Sequence, residues 1–236
     1  MTKKWGSRIF FSLLLLALFV GYPWYGINNP ADRTVGRMLT TDNIILYAQQ
    51  HLTLWGVSLL FAIFVGVSIG ILITRPYFRF AAPVVVNLVN IGQTVPSIAV
   101  LAIFMGIIGM GFQTAVVALF LYSILPILRN TYAGINTISP DVIEAAKGMG
   151  MTPGRVLRRI EIPLALSVIM AGIRTASVVN VGAATLATFI AAGGLGVLIK
   201  TGMAVMRPQL FMTGAVMAAS LAVLLDYFLS IIEDEV

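Results

Sequence analysis

The sequence predicts an all-α integral membrane protein of about six transmembrane helices, with both termini on the cytoplasmic side, and three observations carry that expectation. Of 236 residues, 59% are hydrophobic and only 10% are charged, against roughly 25% charge in an ordinary globular domain. Mean hydropathy is +0.98, so lipid is the expected solvent for most of the side chains. Uncharged runs long enough to cross about 30 Å of hydrocarbon as helices, roughly 20 residues each, recur between clusters of Lys and Arg. Residues 1–236 therefore read as a single transmembrane domain.

The first span, 9–25, follows Lys3, Lys4 and Arg8 and ends in Tyr22, Trp24 and Tyr25, amphipathic rings suited to the membrane interface. No small-residue cleavage site follows, so a retained span is expected rather than a signal peptide. The polar stretch 26–50 has room for a short surface helix, and the second span, 52–74, is closed by Arg75-Pro76. Between Arg79 and Arg129 there is no charge, a length excessive for one crossing. Division at Gly106, Gly109, Gly111 and Gln113 gives a third span over 83–108 and a fourth over 113–128. The fifth, 163–191, is interrupted by Arg174, and the sixth covers 209–231.

With the amino terminus inside, Lys3, Lys4, Arg8, Arg75, Arg79, Arg129, Lys147, Arg155, Arg158 and Arg159 fall in the cytoplasm. Arg33, Arg37, Lys200 and Arg207 fall outside, and ten against four is the asymmetry expected of cytoplasmic loops. A formal charge of +6 is thus explained without a nucleic-acid partner. Arg155, Arg158 and Arg159 lie at helical spacing and suit anionic membrane lipid. Zero cysteines and the single His51 leave no thiol chemistry and no conventional metal site. His51 is expected to be a plain interfacial residue at the outer edge of the second span. Lys200-Thr201 has Ile199 where a P-loop needs glycine, so no ATP is expected on this chain.

The most informative stretch is the cytoplasmic loop 130–163. Ser139-Pro140 and Thr152-Pro153 each pair a hydroxyl N-cap with proline at the first helical position, while Gly148 and Gly150 separate them. Two short helices with an elbow are predicted. Within this loop stand Glu144-Ala145-Ala146, then Gly150 after three residues, then Ile160, Ile162 and Pro163. This arrangement resembles the EAA loop of binding-protein-dependent ABC importer permeases, in which Ile162 replaces the usual leucine. Resemblance extends over 52–217 through Asn90-Ile91-Gly92-Gln93-Thr94-Val95-Pro96-Ser97, Ala171-Gly172-Ile173-Arg174-Thr175-Ala176 and Gly193-Gly194-Leu195-Gly196, which look like glycine betaine, carnitine and choline permeases.

The resemblance implies a type I, methionine-importer-like permease fold and a loop that docks on a separate ATPase subunit. ATP and Mg²⁺ would belong to that partner, with no cofactor in this chain. It also implies a separate extracytoplasmic binding protein and a second permease, identical or homologous. The expected cargo is a small quaternary ammonium osmoprotectant. Another small solute such as an amino acid, or an ion-coupled carrier, is the alternative reading. No catalytic set supports an enzyme.

For the solute path, Asn87, Asn90, Gln93, Thr94 and Ser97 recur at three- and four-residue steps, which would share one face of a continuous helix kinked by Pro96. Arg174 and Asn180 are the other candidates, because polar groups within spans face the bundle interior or a wet path. Arg174 lies 11 residues after Pro163, about 16 Å along a helix, placing it near the midplane or in reach of the inner surface. Gly193-Gly194-Leu195-Gly196 is expected to form an outer turn.

Overall fold

The computed structural model describes the backbone of residues 2–234 and the side chains of residues 12–233. Its helices are α1 Thr2–Asn28, α2 Arg33–Met38, α3 Thr41–Leu72, α4 Ala82–Gly92, α5 Ser97–Ile108, α6 Phe112–Asn136, α7 Pro140–Gly148, α8 Pro153–Val156, α9 Ile162–Ala184, α10 Gly196–Ala204 and α11 Pro208–Asp234. No strand occurs among the described residues. Among the described residues, four helical stretches are long and apolar enough to span a membrane: Thr41–Leu72, Phe112–Asn136, Pro153–Ile190 and Pro208–Glu233. The apolar part of α1, Ser12–Asn28, is shorter, and α4 with α5 forms a bent pair.

Most expected spans exist with longer bounds. The Thr40 hydroxyl accepts from the Asn43 amide, so α3 starts at Thr41 rather than near residue 52. Likewise α6 meets no effective breaker at residue 128 and runs to Asn136, absorbing the first part of the expected loop. Pro126 lies inside α6, where the Asn130 side-chain amide donates to its carbonyl at 2.9 Å. The short helix expected within 26–50 is α2, capped by Asp32.

The third span is corrected. Instead of one helix over 83–108, α4 and α5 are bent by 100° across a four-residue break between Gly92 and Ser97. Pro96 offers no amide and biases Val95 away from helix, while the Thr94 hydroxyl donates back to the Ile91 carbonyl at 2.7 Å and closes α4. Gly92 sits against Leu125 of α6, where an added Cβ would approach the leucine methyl to 3.1 Å. α4 packs with Ile73 and Leu128, whereas α5 packs with Leu54 and Ala115 nearer the opposite ends of α3 and α6, so the pair advances along the bundle, and the Gly111 amide that follows reaches the Ile190 carbonyl at 2.8 Å.

The centre of the bundle is α6, packed on α3 and α9, while α11 packs on α1, α9 and α10. Between helices in lipid, close approach through small residues replaces the hydrophobic drive available in water. Gly66 and Gly70 of α3 face Ile127 and Thr131 of α6, and Gly172 of α9 faces Asn130 and the Pro126 carbonyl. A Cβ at Gly172 would stand 2.6 Å from the Asn130 Cβ, so a side chain there must push the helices apart. Gly172→Leu is expected to destabilise the bundle by about 1–3 kcal/mol, the usual size of overpacking. Thermal unfolding in detergent checks this, with an unchanged midpoint contradicting the packing argument.

At one end, Asp32 accepts the amides of Thr34 and Val35 and pairs with Arg207, joining the α1–α2 turn to the start of α11. Gln209 reinforces the joint, accepting from the Ala31 amide at 2.8 Å and donating to the Asn29 carbonyl at 2.9 Å. The Val35 amide, aided by the Arg207 charge and the Thr34 amide, holds the Asp32 carboxyl below its ordinary range.

Candidate coupling loop and translocation face

The loop helices form for the local reasons legible in the sequence. The Ser139 hydroxyl accepts from the Asp141 amide at 3.3 Å, with Pro140 at the first helical position. Thr152 has the extended backbone of an N-cap, although its side chain makes no capping bond. Gly150 lies between the two helices at φ +79°, a left-handed conformation that glycine adopts without strain. Glu144 and Ala145 are exposed on α7, whereas Ala146 is buried beneath them. The elbow thus presents Glu144 and Ala145 outward and anchors the helix through the next residue. Ile160 and Ile162 are half-buried, and Pro163 is exposed in the first turn of α9.

Between α8 and α9 the chain widens into a π-turn, Leu157–Glu161. Glu161 there is only 8% exposed. Its Oε2 lies 2.6 Å from Arg75 Nη2, off the line of an aligned hydrogen bond, and no other described donor reaches that oxygen. Neither Glu161 nor Arg75 was singled out as a site residue from the sequence. Two opposite charges flanking span ends were the available signal.

The polar residues expected on one helical face do not share one. Asn87 and Asn90 belong to α4, Gln93, Thr94 and Pro96 to the break, and Ser97 to the first turn of α5. All except Ser97, which is partly covered, are exposed on the isolated chain. Gln93 lines a cavity of about 220 Å³ with Tyr122, Leu125, Pro126, Thr175 and Val179. Pro126 supplies no amide, so the Tyr122 carbonyl beside this cavity lacks its helical donor. A second cavity of about 430 Å³ shares Thr175 and Val179 and extends to Arg174 and Asp226.

Arg174 is not solitary. Its Nε and Nη2 donate to the two carboxylate oxygens of Asp226 at 2.9 and 3.1 Å, and Nη1 donates to Glu233 at 2.6 Å. Both acceptors are on α11, with Glu233 in its last turn, so Arg174 is directed toward that end of the bundle. Asn180 is fully buried, away from the two cavities just described. Its Nδ2 donates to Ser58 on α3 at 2.8 Å and Ser123 on α6 at 2.7 Å, bolting the three central helices together. Its Oδ1 has no partner among the described residues.

His51 departs most from expectation, being fully buried rather than interfacial. Because α3 begins ten residues earlier, His51 lies within it, under the turn at Gly193-Gly194-Leu195. Gly193 and Gly194 take φ of +82° and +87°, which turns two amides back toward α3. Gln50 Oε1 accepts from the Gly194 amide at 2.9 Å, and His51 Nδ1 accepts from the Leu195 amide at 3.3 Å. The proton therefore resides on Nε2, which donates to the Val181 carbonyl at 3.2 Å.

A helical bundle with an external α-helical elbow between α6 and α9, ahead of the last long helix, is the arrangement of a permease subunit of an ABC importer. The chain belongs to the family of binding-protein-dependent transport system inner membrane components, whose pattern matches residues 62–236. Relatives include the choline transport system permease protein OpuBB of Bacillus subtilis (strain 168), 43% identical over 82% of this chain and 89% of its own length. The glycine betaine/carnitine/choline transport system permease protein OpuCB of the same organism is 44% identical over 84% of this chain and 90% of its own. The osmoprotectant import permease protein OsmY of Salmonella typhimurium is 42% identical over 92% of this chain and 89% of its own. Among solved structures, an inward-facing form of the MetNI methionine ABC transporter has a chain matching at TM-score 0.66 and 25% identity, over 81% of this chain and 93% of that one. A chain of an amino acid ABC transporter has the same fold, with TM-score 0.68 at 19% identity and the same coverage.

The protein is accordingly a multi-pass component of the cytoplasmic membrane and a transport subunit, with ATP hydrolysis on a separate subunit. Membership in this family implies ATPase and substrate-binding protein partners.

Proposed function

We propose that the chain is one half of a permease pair that imports a small quaternary ammonium osmoprotectant, powered through the Glu144–Pro163 loop. The carrying observation for the solute is that three relatives 42–44% identical over most of their length bear names for choline, glycine betaine, carnitine or osmoprotectant transport. The geometry supports the pair. Asn87, Asn90, Gln93 and Thr94 are exposed on the single chain, and polar groups at membrane depth are costly against lipid. A second permease on this face would enclose them, together with Thr175 and the Tyr122 cavity, around a wet path. Tyr122 offers a ring face and a carbonyl beside that path, both attractive to a quaternary cation.

In this reading α7 presents Glu144 and Ala145 to a groove on the ATPase, and Gly150 sets the angle of presentation. The solute is captured by the separate binding protein, released into the path, and expelled inward as the ATPases open. The test is reconstitution of the permease with its ATPase and binding protein in vesicles. Radiolabelled choline, glycine betaine and carnitine are offered separately. Uptake of at least one is expected to require both ATP and the binding protein. Uptake driven by an ion gradient alone would refute the reading, and uptake of amino acids in preference to all three would refute the solute class.

A further inference from the structure

We infer that α3 is a rod that couples the ATPase-facing loop to the glycine turn at the other end of the bundle, with Arg75–Glu161 as its clamp and Gln50–His51 as its grip. This rests on the reading of 140–163 as the coupling loop. The loop itself has few routes into the bundle: α7 packs chiefly on α8, and α8 continues through the π-turn into α9. Motion of α7 thus reaches α9 directly along the chain. Inside the bundle α9 already meets α3 at Ser58–Asn180 and His51–Val181, and beside the loop it meets the end of α3 through a lateral charged tie.

Arg75 is that tie. It lies three residues beyond α3, and its guanidinium donates through Nε and Nη2 to the Thr74 hydroxyl at 3.0 and 2.7 Å. Thr74 in turn donates to the Ile71 carbonyl at 2.7 Å, so the guanidinium is fastened to the last turn of α3. Its Nη2 also faces the carboxylate of Glu161, whose side chain is 11% exposed. Glu161 belongs to the π-turn, where the widened coil and the missing amide of Pro163 leave the backbone less tightly bonded than in the flanking helices. A stiff helix is therefore joined by charge to the softest part of the loop's connection.

At the other end, Gln50 and His51 hold the amides of Gly194 and Leu195. From Gln50 to Leu72 the helix is about 33 Å long at 1.5 Å per residue. The gripped turn follows Ile190, whose carbonyl accepts the Gly111 amide from the start of α6. A shift of α3 along or about its axis consequently bears on the turns that close this end of the bundle. The packing between ties α3 to α6, because Gly66 and Gly70 sit directly against Ile127 and Thr131, so the two helices would carry such a shift together.

The experiment uses the reconstituted importer with ATPase and binding protein. Arg75→Ala and Glu161→Gln are expected to retain the ATPase in the purified complex and to hydrolyse ATP within about twofold of wild type, while uptake per ATP falls about tenfold. The charge exchange Arg75→Glu with Glu161→Arg is expected to recover at least about a third of the lost uptake. Gln50→Ala should uncouple similarly, and combined with Arg75→Ala should lose no more than the worse single variant. Single variants with wild-type uptake per ATP overturn the clamp. Parallel loss of ATPase retention, hydrolysis and uptake overturns it too, since that pattern marks a structural brace. Additive loss in the Gln50/Arg75 double variant overturns the rod. Should Arg75→Ala fail to fold, Arg75→Lys and Glu161→Asp carry the same comparison, because they keep charge but lose the geometry. Wild-type uptake in loop variants at Glu144 and Gly150 would instead sink the coupling-loop reading, a separate outcome.

Discussion

Gly150→Val and Glu144→Lys are each expected to lower ATP-dependent uptake at least about tenfold, within the 5- to 150-fold range of typical coupling free energies, while the membrane bundle stays folded. The two substitutions act differently. At φ +79° valine is a backbone outlier, although open space surrounds the position. The cost is conformational, about 1–3 kcal/mol for a residue held in that region, and the chain escapes it by changing the angle between α7 and α8. That angle determines where Glu144 points. Glu144→Lys leaves the angle alone and reverses the charge of an exposed side chain that makes no bond to the rest of the described chain. Neither residue belongs to a buried cluster of the bundle, so detergent-solubilised variants should retain the elution volume and melting midpoint of wild type. Co-purification of the ATPase and vesicle uptake are then measured together. Wild-type uptake with normal ATPase association in both variants would falsify the coupling role.

The loop was legible because its chemistry is local. Ser139-Pro140 caps and starts a helix wherever it is placed, and glycine at residue 150 permits the one backbone state that an elbow needs. The order of the apolar helices was legible for a similar reason, as apolar length is a property of a continuous segment; of the six expected spans, four are long single helical stretches and a fifth is the bent pair of α4 and α5. What failed was continuity. Asn87, Asn90, Gln93, Thr94 and Ser97 fit helical spacing, yet Gly92 and Pro96 stop the helix between them, and spacing has no meaning across a 100° bend. Periodicity alone cannot tell a kink from a break, because the size of the bend depends on what Gly92 meets, here Leu125.

The partners of the lone polar residues were illegible for a different reason. Asn180 reads as polar within a span, which fits a wet path or a helix bolt equally; only the arrival of Ser58 and Ser123 from 122 and 57 residues away selects the bolt in this chain. His51 reads as an interfacial residue until the Leu195 amide, 144 residues on, covers it. Arg75 and Glu161 stand on segments read as separate cytoplasmic stretches, so their pairing appears only when α3 and α9 are brought side by side. In each case the residue type was visible and its role was fixed by a distant element.

Arg174→Gln is the second substitution with a large expected effect, and it acts on stability. One guanidinium serves two carboxylates: Asp226 bidentately, and Glu233 two helical turns further along α11. Removing it leaves both acids close together with no described cation between them. Their side chains are 35% and 21% exposed, so the cost falls below that of a fully buried pair. About 1–3 kcal/mol is expected, enough to lower the melting midpoint by roughly 5 °C in a chain of this size. The acids, rather than the lost packing, should be responsible. Adding Asp226→Asn and Glu233→Gln to Arg174→Gln is therefore expected to recover most of the midpoint, while Asp226→Asn alone in a wild-type background costs less than Arg174→Gln. Arg174→Lys should fall between, since a lysine ammonium keeps the charge but cannot fork onto Asp226. An unchanged midpoint for Arg174→Gln would show that the pair is screened where it stands. If all three neutral substitutions together melt as low as Arg174→Gln, the guanidinium contributes through its contacts on α9 rather than through charge, and its place beside the larger cavity becomes the property to explain.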